Sequence, residues 1–213
     1  MELLVATRSA GKSREIQRIL AAVPGLIVKN LDEAGITFEA AEDDLEPYAT
    51  FEENALSKAR YFFDRSGMAT VADDSGIEVD ALAGAPGVRS KRFAPDQGLE
   101  GQSLDDANNR HLVGRLAGVA TEARAARYVC VAALLSGKDE PLLIRGEAPG
   151  VIIDEARGTG GFGYDPFMLD PEVGKTFAEM APSEKDARSH RGKAFRQLAL
   201  ELRARLHGDT NGA

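Results

Sequence analysis

Val71-Ala72-Asp73-Asp74-Ser75-Gly76 is the stretch on which the reading of this chain turns. The residues leading into it, Met68 to Ala72, are short, apolar and β-prone, and they run directly into two carboxylates, a hydroxyl and a glycine. A strand that ends this way carries hard oxygen ligands to the edge of a sheet, where α/β proteins place metals and phosphates. Successive strand side chains point to opposite faces, so Asp73 and Asp74 are expected to do different jobs. One can bind a metal or a water while the other braces the turn. The competing interpretation is a plain polar turn, because Asp-Ser-Gly is ordinary turn chemistry.

On the N-terminal side, Leu3 to Ala6 reads as a buried strand, and Ile16, Ile19 and Leu20 mark one face of a helix. Between them lies Thr7-Arg8-Ser9-Ala10-Gly11-Lys12-Ser13. Strand, small polar loop with Gly-Lys, then helix is a phosphate-binding arrangement: N–H groups at the helix start face the anion and lysine adds a point charge. The first glycine and the spacing of a Walker A loop are missing, which argues against a P-loop kinase. Leu26 to Asn30 is a second strand. The acidic run holding Glu42, Asp43, Asp44 and Glu46 reads as a solvated loop from which one carboxylate can turn inward to a metal. Thr50 and Glu53 form a capping box for a helix to about Arg65, with Phe51, Ala55, Ala59 and Phe62 on its apolar face. Asn54 and Lys58 share another face, turned either to solvent or to a cleft.

On the C-terminal side, Ile77 to Leu82 reads as a separate short strand, and Ser103 with Asp106 as a second capping box opening a helix. Arg127 to Leu135, Pro141 to Ala148 and Val151 to Asp154 read as three successive strands, antiparallel because the connections are short. Gly158 to Pro166 is dense in glycine and holds Phe162, Tyr164 and Asp165. Glycines there let backbone approach a ligand, and Phe162 can stack on a flat base; alternatively both aromatics return to the core. Ser183 to Arg188 starts a helix. Ser189-His190-Arg191-Gly192-Lys193 then precedes a final helix with Phe195, Leu198, Leu202 and Leu206 as its stripe, and such a helix start suits a purine edge or a phosphate. His207 to Ala213 reads as a frayed tail.

Composition narrows the classes. At 213 residues, 43% hydrophobic and 28% charged, the chain is expected to form one domain spanning 1–213, whole or split into two lobes around a cleft. With 26 basic and 34 acidic side chains the net charge is −8, which speaks against a surface for nucleic acid or anionic membrane. An anionic ligand would therefore be met by a few local cations together with a divalent metal. The one cysteine, Cys130, sits in an apolar run and is expected buried, in keeping with a reducing compartment. No signal peptide and no membrane-spanning run is found, so a soluble, cytoplasmic protein is expected.

Taken together these stretches resemble the inosine triphosphate pyrophosphatase family, enzymes that hydrolyse non-standard purine nucleoside triphosphates. The resemblance is carried by Ala6-Thr7 to Lys12 with Glu15, Thr50 to Ala55, Ala72 to Gly76, Gly84 to Gly87, Gly158 to Pro166 and Ser189 to Gly192. It implies an α/β fold: a long mixed β-sheet flanked by helices, two lobes, and an active-site cleft between them. It also implies a homodimer, Mg2+ as cofactor, and cleavage of ITP, dITP and XTP to the monophosphate and pyrophosphate. By the same resemblance Thr7, Arg8, Ser9, Ala10, Gly11 and Lys12 hold the triphosphate, with Lys58 as a second cation. Glu46 falls at the position of a metal-binding glutamate. Asp74 is the general base and a metal ligand with Asp73 beside it, and Ser75 touches substrate. Phe162, Gly163, Tyr164 and Asp165 enclose the base, and Lys185, His190 and Arg191 reach the purine edge or sugar. Ser9 departs from the family's usual Asn, so a direct phosphate contact there is lost or bridged by water. Two rivals are a dTTP or UTP pyrophosphatase, disfavoured by the 162–165 loop with Ser189-His190-Arg191, and a non-catalytic nucleotide sensor, disfavoured by three carboxylates at Glu46, Asp73 and Asp74.

Overall fold

The computed structural model describes residues 1–95, 98–137 and 140–208. Leu3, Leu4 and Val5 make β1 (Glu2–Val5) an almost unbroken apolar run, as a strand flanked by parallel neighbours on both sides requires. Its neighbours are β2 (Ile27–Asn30) and β3 (Ala69–Val79), both parallel to it. Then come β4 (Ala125–Leu135), β5 (Leu142–Ile152), β6 (Met168–Asp170) and β7 (Lys175–Thr176). The seven strands run β2-β1-β3-β4-β5-β6-β7, and β6 is antiparallel to both β5 and β7, so the sheet is mixed, as expected. The helices are α1 (Ala10–Leu20), α2 (Phe51–Ser66), α3 (Gly101–Arg115), α4 (Pro182–Arg188) and α5 (His190–Gly208).

Local chemistry accounts for several boundaries. Thr50 caps α2 by accepting from the Glu53 N–H at 3.2 Å, and Gly67 ends that helix in the left-handed region at φ 65°. The acid pair brings a correction. Asp73-Asp74-Ser75-Gly76 does not end a strand; β3 runs through it to Val79, so Ile77 to Val79 continues that strand and is not a separate one. Nor do three strands follow Arg127. The second and third merge into β5, which passes through Pro149 and Gly150. Gly150 is needed there because a Cβ would lie 2.5 Å from the Leu169 carbonyl oxygen on the neighbouring strand. α3 begins ahead of Ser103, with Glu100 at the N-cap position and no side-chain cap.

The chain divides into two compact units. The first comprises Met1–Asp74, Cys130–Gly146 and Arg191–Ala213; the second, Ser75–Val129 and Glu147–His190. The core of the first gathers Leu3, Val5 and Val71 with Ile16 and Leu20 of α1 and Phe195, Leu198 and Leu202 of α5. Cys130 is buried in it, as expected. The core of the second gathers Ile77, Val79, Leu112, Leu116, Ile152, Tyr164 and Phe177. Among the described residues no helix is long and apolar enough to cross a membrane. Of the tail expected from His207, the helix covers the backbone to Gly208 and the rest lies outside the described residues.

Candidate active site

In the first unit, alternation along β3 separates the two aspartates. Asp73 is 1% exposed and its Oδ2 faces Lys12 Nζ at 3.2 Å and the Arg191 guanidinium at 3.3 Å. Arg191 in turn donates to Glu15 at 2.7 Å. Two elements far apart in sequence, α1 and the start of α5, are thus joined to β3 by an alternating chain Glu15–Arg191–Asp73–Lys12. Burial alone would raise the Asp73 pKa, but the charges of Lys12, Arg191 and Lys58 outweigh it and hold the carboxyl well below the usual range. The Cys130 thiol lies 3.7 Å from the same oxygen, and burial with that carboxylate drives its pKa up. It is a packing residue, not a nucleophile.

Asp74 is 5% exposed and accepts from Asn54 of α2 at 3.0 Å. The same α2 face brings Lys58, whose ammonium contacts Glu46 and the Asp73 carbonyl oxygen. Asn54 and Lys58 therefore turn inward. Burial pushes the Asp74 carboxyl above its ordinary range and the Glu46 charge adds to this, against the pull of Lys58, Lys12 and the Asn54 hydrogen bond. Glu46 goes the other way: burial would raise it, but Lys58 and Lys12 bring it below the ordinary value. The two acids are tuned apart, which is the usual mark of divided acid–base roles.

These residues fit Mg2+ in one way only. Among the described residues no three of His, Cys, Asp and Glu come together as a ligand cluster, so an all-protein cage does not fit. Asp73 braces the centre through Oδ2, which faces two cations, while its Oδ1 is buried with no hydrogen-bond partner among the described residues. Glu46 and Asp74 remain, two carboxylates within electrostatic reach of each other around Lys58. One or two carboxylates, with water and phosphate completing the octahedron, is the usual Mg2+ donor set.

The Thr7 to Lys12 loop lies at the N-terminus of α1, with Ser9 as the N-cap accepting from the Lys12 N–H at 3.4 Å. Ser9 thus has a structural use in place of the phosphate contact of an Asn. A cavity of about 280 Å³ opens beside the loop, lined by Thr7, Ser9, Ser13, Arg14 and Asn30 among others. Arg8 does not extend toward a ligand: its guanidinium is paired with Glu42.

In the second unit Asp165 is the hub. It accepts from Lys185 Nζ at 2.6 Å, the Tyr128 hydroxyl at 3.1 Å and the Phe162 N–H at 2.9 Å. Lys185 Nζ also lies 4.8 Å from the centroid of the half-buried Phe162 ring. His190 stacks on Tyr128, centroids 4.5 Å apart and planes at 19°. Gly163 donates its N–H to Asp105 and its carbonyl accepts from Asn109. Asp105 and Asn109, both on α3, had no sequence signal beyond being polar helix residues. Tyr164 returns to the core and donates to the Ser90 carbonyl at 2.7 Å. The glycines also serve packing: a Cβ on Gly158 would meet the Ala178 backbone at 2.5 Å, and one on Gly161 the Asp165 carboxylate at 2.0 Å. Arg191, expected at the purine edge or sugar, is 2% exposed, and its guanidinium is held by Glu15 and Asp73. Ser75, half-buried in mid-strand, follows Asp74 directly.

Carboxylates and lysines gathered on β3, α1 and α2 of a mixed sheet place this protein among α/β proteins with an acid–lysine centre set into the sheet. The chain belongs to the Ham1 family, whose model matches residues 3–201, and this bears out the resemblance read from the motifs. It is 49% identical over 211 residues to a dITP/XTP pyrophosphatase of Mycolicibacterium paratuberculosis, covering 97% of this chain and 98% of that one. A dITP/XTP pyrophosphatase of Ralstonia nicotianae is 46% identical over 203 residues, covering 94% and 96%. Among solved structures, the Ham1 protein of Staphylococcus aureus superposes with a TM-score of 0.80 at 32% identity, covering 96% of this chain and all of that one.

Proposed function

We propose that this chain hydrolyses non-standard purine nucleoside triphosphates, ITP, dITP and XTP, to the monophosphate and pyrophosphate in a Mg2+-dependent reaction. The names of its relatives support the reaction class. The observation that carries the reading is Asp74: a buried carboxyl with a raised pKa, oriented by Asn54 and flanked by Lys58. Asn54 fixes the orientation of the carboxylate, and a positioned carboxylate is the geometry a general base needs. In this reading Asp74 accepts the proton of a water attacking the α-phosphorus in line. The bond from that phosphorus to the bridging oxygen breaks, and pyrophosphate leaves with the electron pair. Lys12 and Lys58 stabilise the negative charge that builds on the phosphates.

Charge counting supports the metal. Lys12, Lys58 and Arg191 provide three cations against four carboxylates, Glu15, Glu46, Asp73 and Asp74, so the centre is already acidic before a triphosphate arrives. Glu46 and Asp74 would hold Mg2+, which supplies neutralisation of the leaving pyrophosphate and a lowered pKa for attacking water.

In this reading Phe162 and His190 recognise the purine base. Phe162 offers a ring face, and His190 with backbone N–H groups offers donors to the 6-oxo oxygen of hypoxanthine or xanthine. Adenine carries an amine there and would leave such donors unpaired. The test is pyrophosphate release from ITP, XTP, ATP, GTP, dTTP and UTP, with and without Mg2+. Metal-dependent release from ITP and XTP alone is expected. Release from dTTP or UTP would move the chain to the pyrimidine enzymes, and tight ITP binding without turnover would make it a sensor.

A further inference from the structure

Arg8 stands in the loop assigned to the triphosphate, yet each of its three guanidinium nitrogens already donates to the protein. Nε and Nη2 donate to the two oxygens of Glu42, both at 2.8 Å, and Nη1 donates to the Ile36 carbonyl at 3.0 Å. The Glu42 side chain is only 5% exposed, although its run of acids reads as a solvated loop. It also accepts from Arg65 Nη1 at 3.3 Å and from the Glu39 N–H at 3.2 Å. Arg65 reaches Glu39 as well, at 2.7 Å, and the Tyr61 hydroxyl donates to that carboxylate at 3.0 Å. Donors from the β1–α1 loop and from α2 thus converge on residues 36–42. That segment continues through a 3-10 turn, Ala40–Asp44, closed by a reciprocal Glu39/Glu42 capping box, and two residues later presents Glu46.

We propose that Arg8 is a positioning residue which, through Glu42, latches the phosphate loop to the segment presenting Glu46, and that it does not contact phosphate. A bidentate guanidinium–carboxylate fork fixes the mutual orientation of its two partners, which a point charge cannot do. The latch keeps the metal-facing glutamate at a set distance from Lys12. Its meaning for catalysis rests on the proposed function; its existence as a brace does not.

The test uses Arg8→Ala, Arg8→Lys, Glu42→Ala and the Arg8→Ala/Glu42→Ala double variant in the full chain. Amide hydrogen exchange over residues 36–46 is followed by mass spectrometry, and pyrophosphate release from ITP is titrated with Mg2+. Each single variant should speed exchange in that segment. Each should also raise the Mg2+ half-saturation by about three- to tenfold, toward the lower end of what coupling between contacting residues implies, with the KM for ITP at saturating metal little changed. The double variant should be no worse than the more affected single, and Arg8→Lys should behave like Arg8→Ala. The proposal is overturned if Arg8→Ala raises KM several-fold while Glu42→Ala does not and Arg8→Lys is near wild type, the signature of a phosphate contact. Additive losses in the double variant, or unchanged exchange over 36–46, overturn it too. A wild-type chain that turns over no ITP defeats the proposed function, and the exchange measurement then decides the latch by itself.

Discussion

Replacing Asp73 by Asn removes one carboxylate from the middle of the Glu15–Arg191–Asp73–Lys12 chain and keeps its shape. The side chain is fully enclosed, and so is nearly all of Arg191, so water cannot take over the lost charge. Breaking a buried pair from one side costs about 3–5 kcal/mol, and an Asn oxygen still accepts one hydrogen bond, so a loss near 3 kcal/mol is expected. For a chain of this size that corresponds to a melting temperature lower by roughly 6–12 °C. Urea unfolding followed by circular dichroism at pH 7 reads the free energy, and repeating it at lower pH adds a signature. The Asp73 pKa is depressed in the folded protein, so its contribution is fully present above the unfolded value near pH 4 and fades as pH falls from there toward the folded value. The gap between wild type and Asp73→Asn should therefore be flat from about pH 5 upward and close below about pH 4. A loss under about 1 kcal/mol, the size of an exposed pair, or a gap that acid leaves unchanged, would refute the buried-chain reasoning.

Asp74→Asn should lower kcat for ITP by about 10²- to 10⁴-fold, as loss of a general base does, with ITP binding retained in equilibrium dialysis; near-wild-type turnover rules it out as the base. Glu46→Gln should raise the Mg2+ concentration needed for half-maximal pyrophosphate release, and an unmoved titration curve means another carboxylate holds the ion. His190→Ala should narrow the ITP-over-ATP ratio of kcat/KM; equal loss with both nucleotides would reassign it to the triphosphate or to packing. Tyr164→Phe leaves the Ser90 carbonyl short of a donor and should cost about 1–3 kcal/mol in urea unfolding with KM for ITP unchanged. A raised KM would return Tyr164 to the base wall.

Much of the fold was legible because its signals are local. The apolar run of β1, the Thr50 cap of α2 and the Phe195-Leu198-Leu202 stripe of α5 each announce an element within a few residues. The acid pair misled about where β3 ends, because Asp-Asp-Ser-Gly carries turn chemistry that tertiary partners override. Asp73 is paired through Oδ2 with Lys12 and Arg191, and Asp74 accepts from Asn54, none of them within the strand. The site was harder to read than the fold for the same reason. Arg191 meets Glu15 across 176 positions and Asp73 across 118, and Arg8 meets Glu42 across 34, so no window along the chain contains both ends of these pairs. Exposed-sounding contexts, a helix start and a loop, therefore gave no hint that the protein pairs these charges internally.

The chain Glu15–Arg191–Asp73–Lys12 also bears on how the protein is made. Three of its members emerge within the first 73 residues, while the fourth arrives only with α5, which also delivers Ala194, Phe195, Leu198 and Leu202 to the first core. Until then Asp73 has Lys12 but not Arg191 as a counter-ion, and one wall of that core is open. Closing contacts of such long range comes late, since chain entropy opposes them until the far segment is available. A ribosome-bound nascent chain would thus carry the acid pair and the Gly-Lys loop without the framework that aligns them. Synthesis must run past Leu202 before the framework around Asp73 can close, so fragments cut short before that point are left easy for proteases to clear.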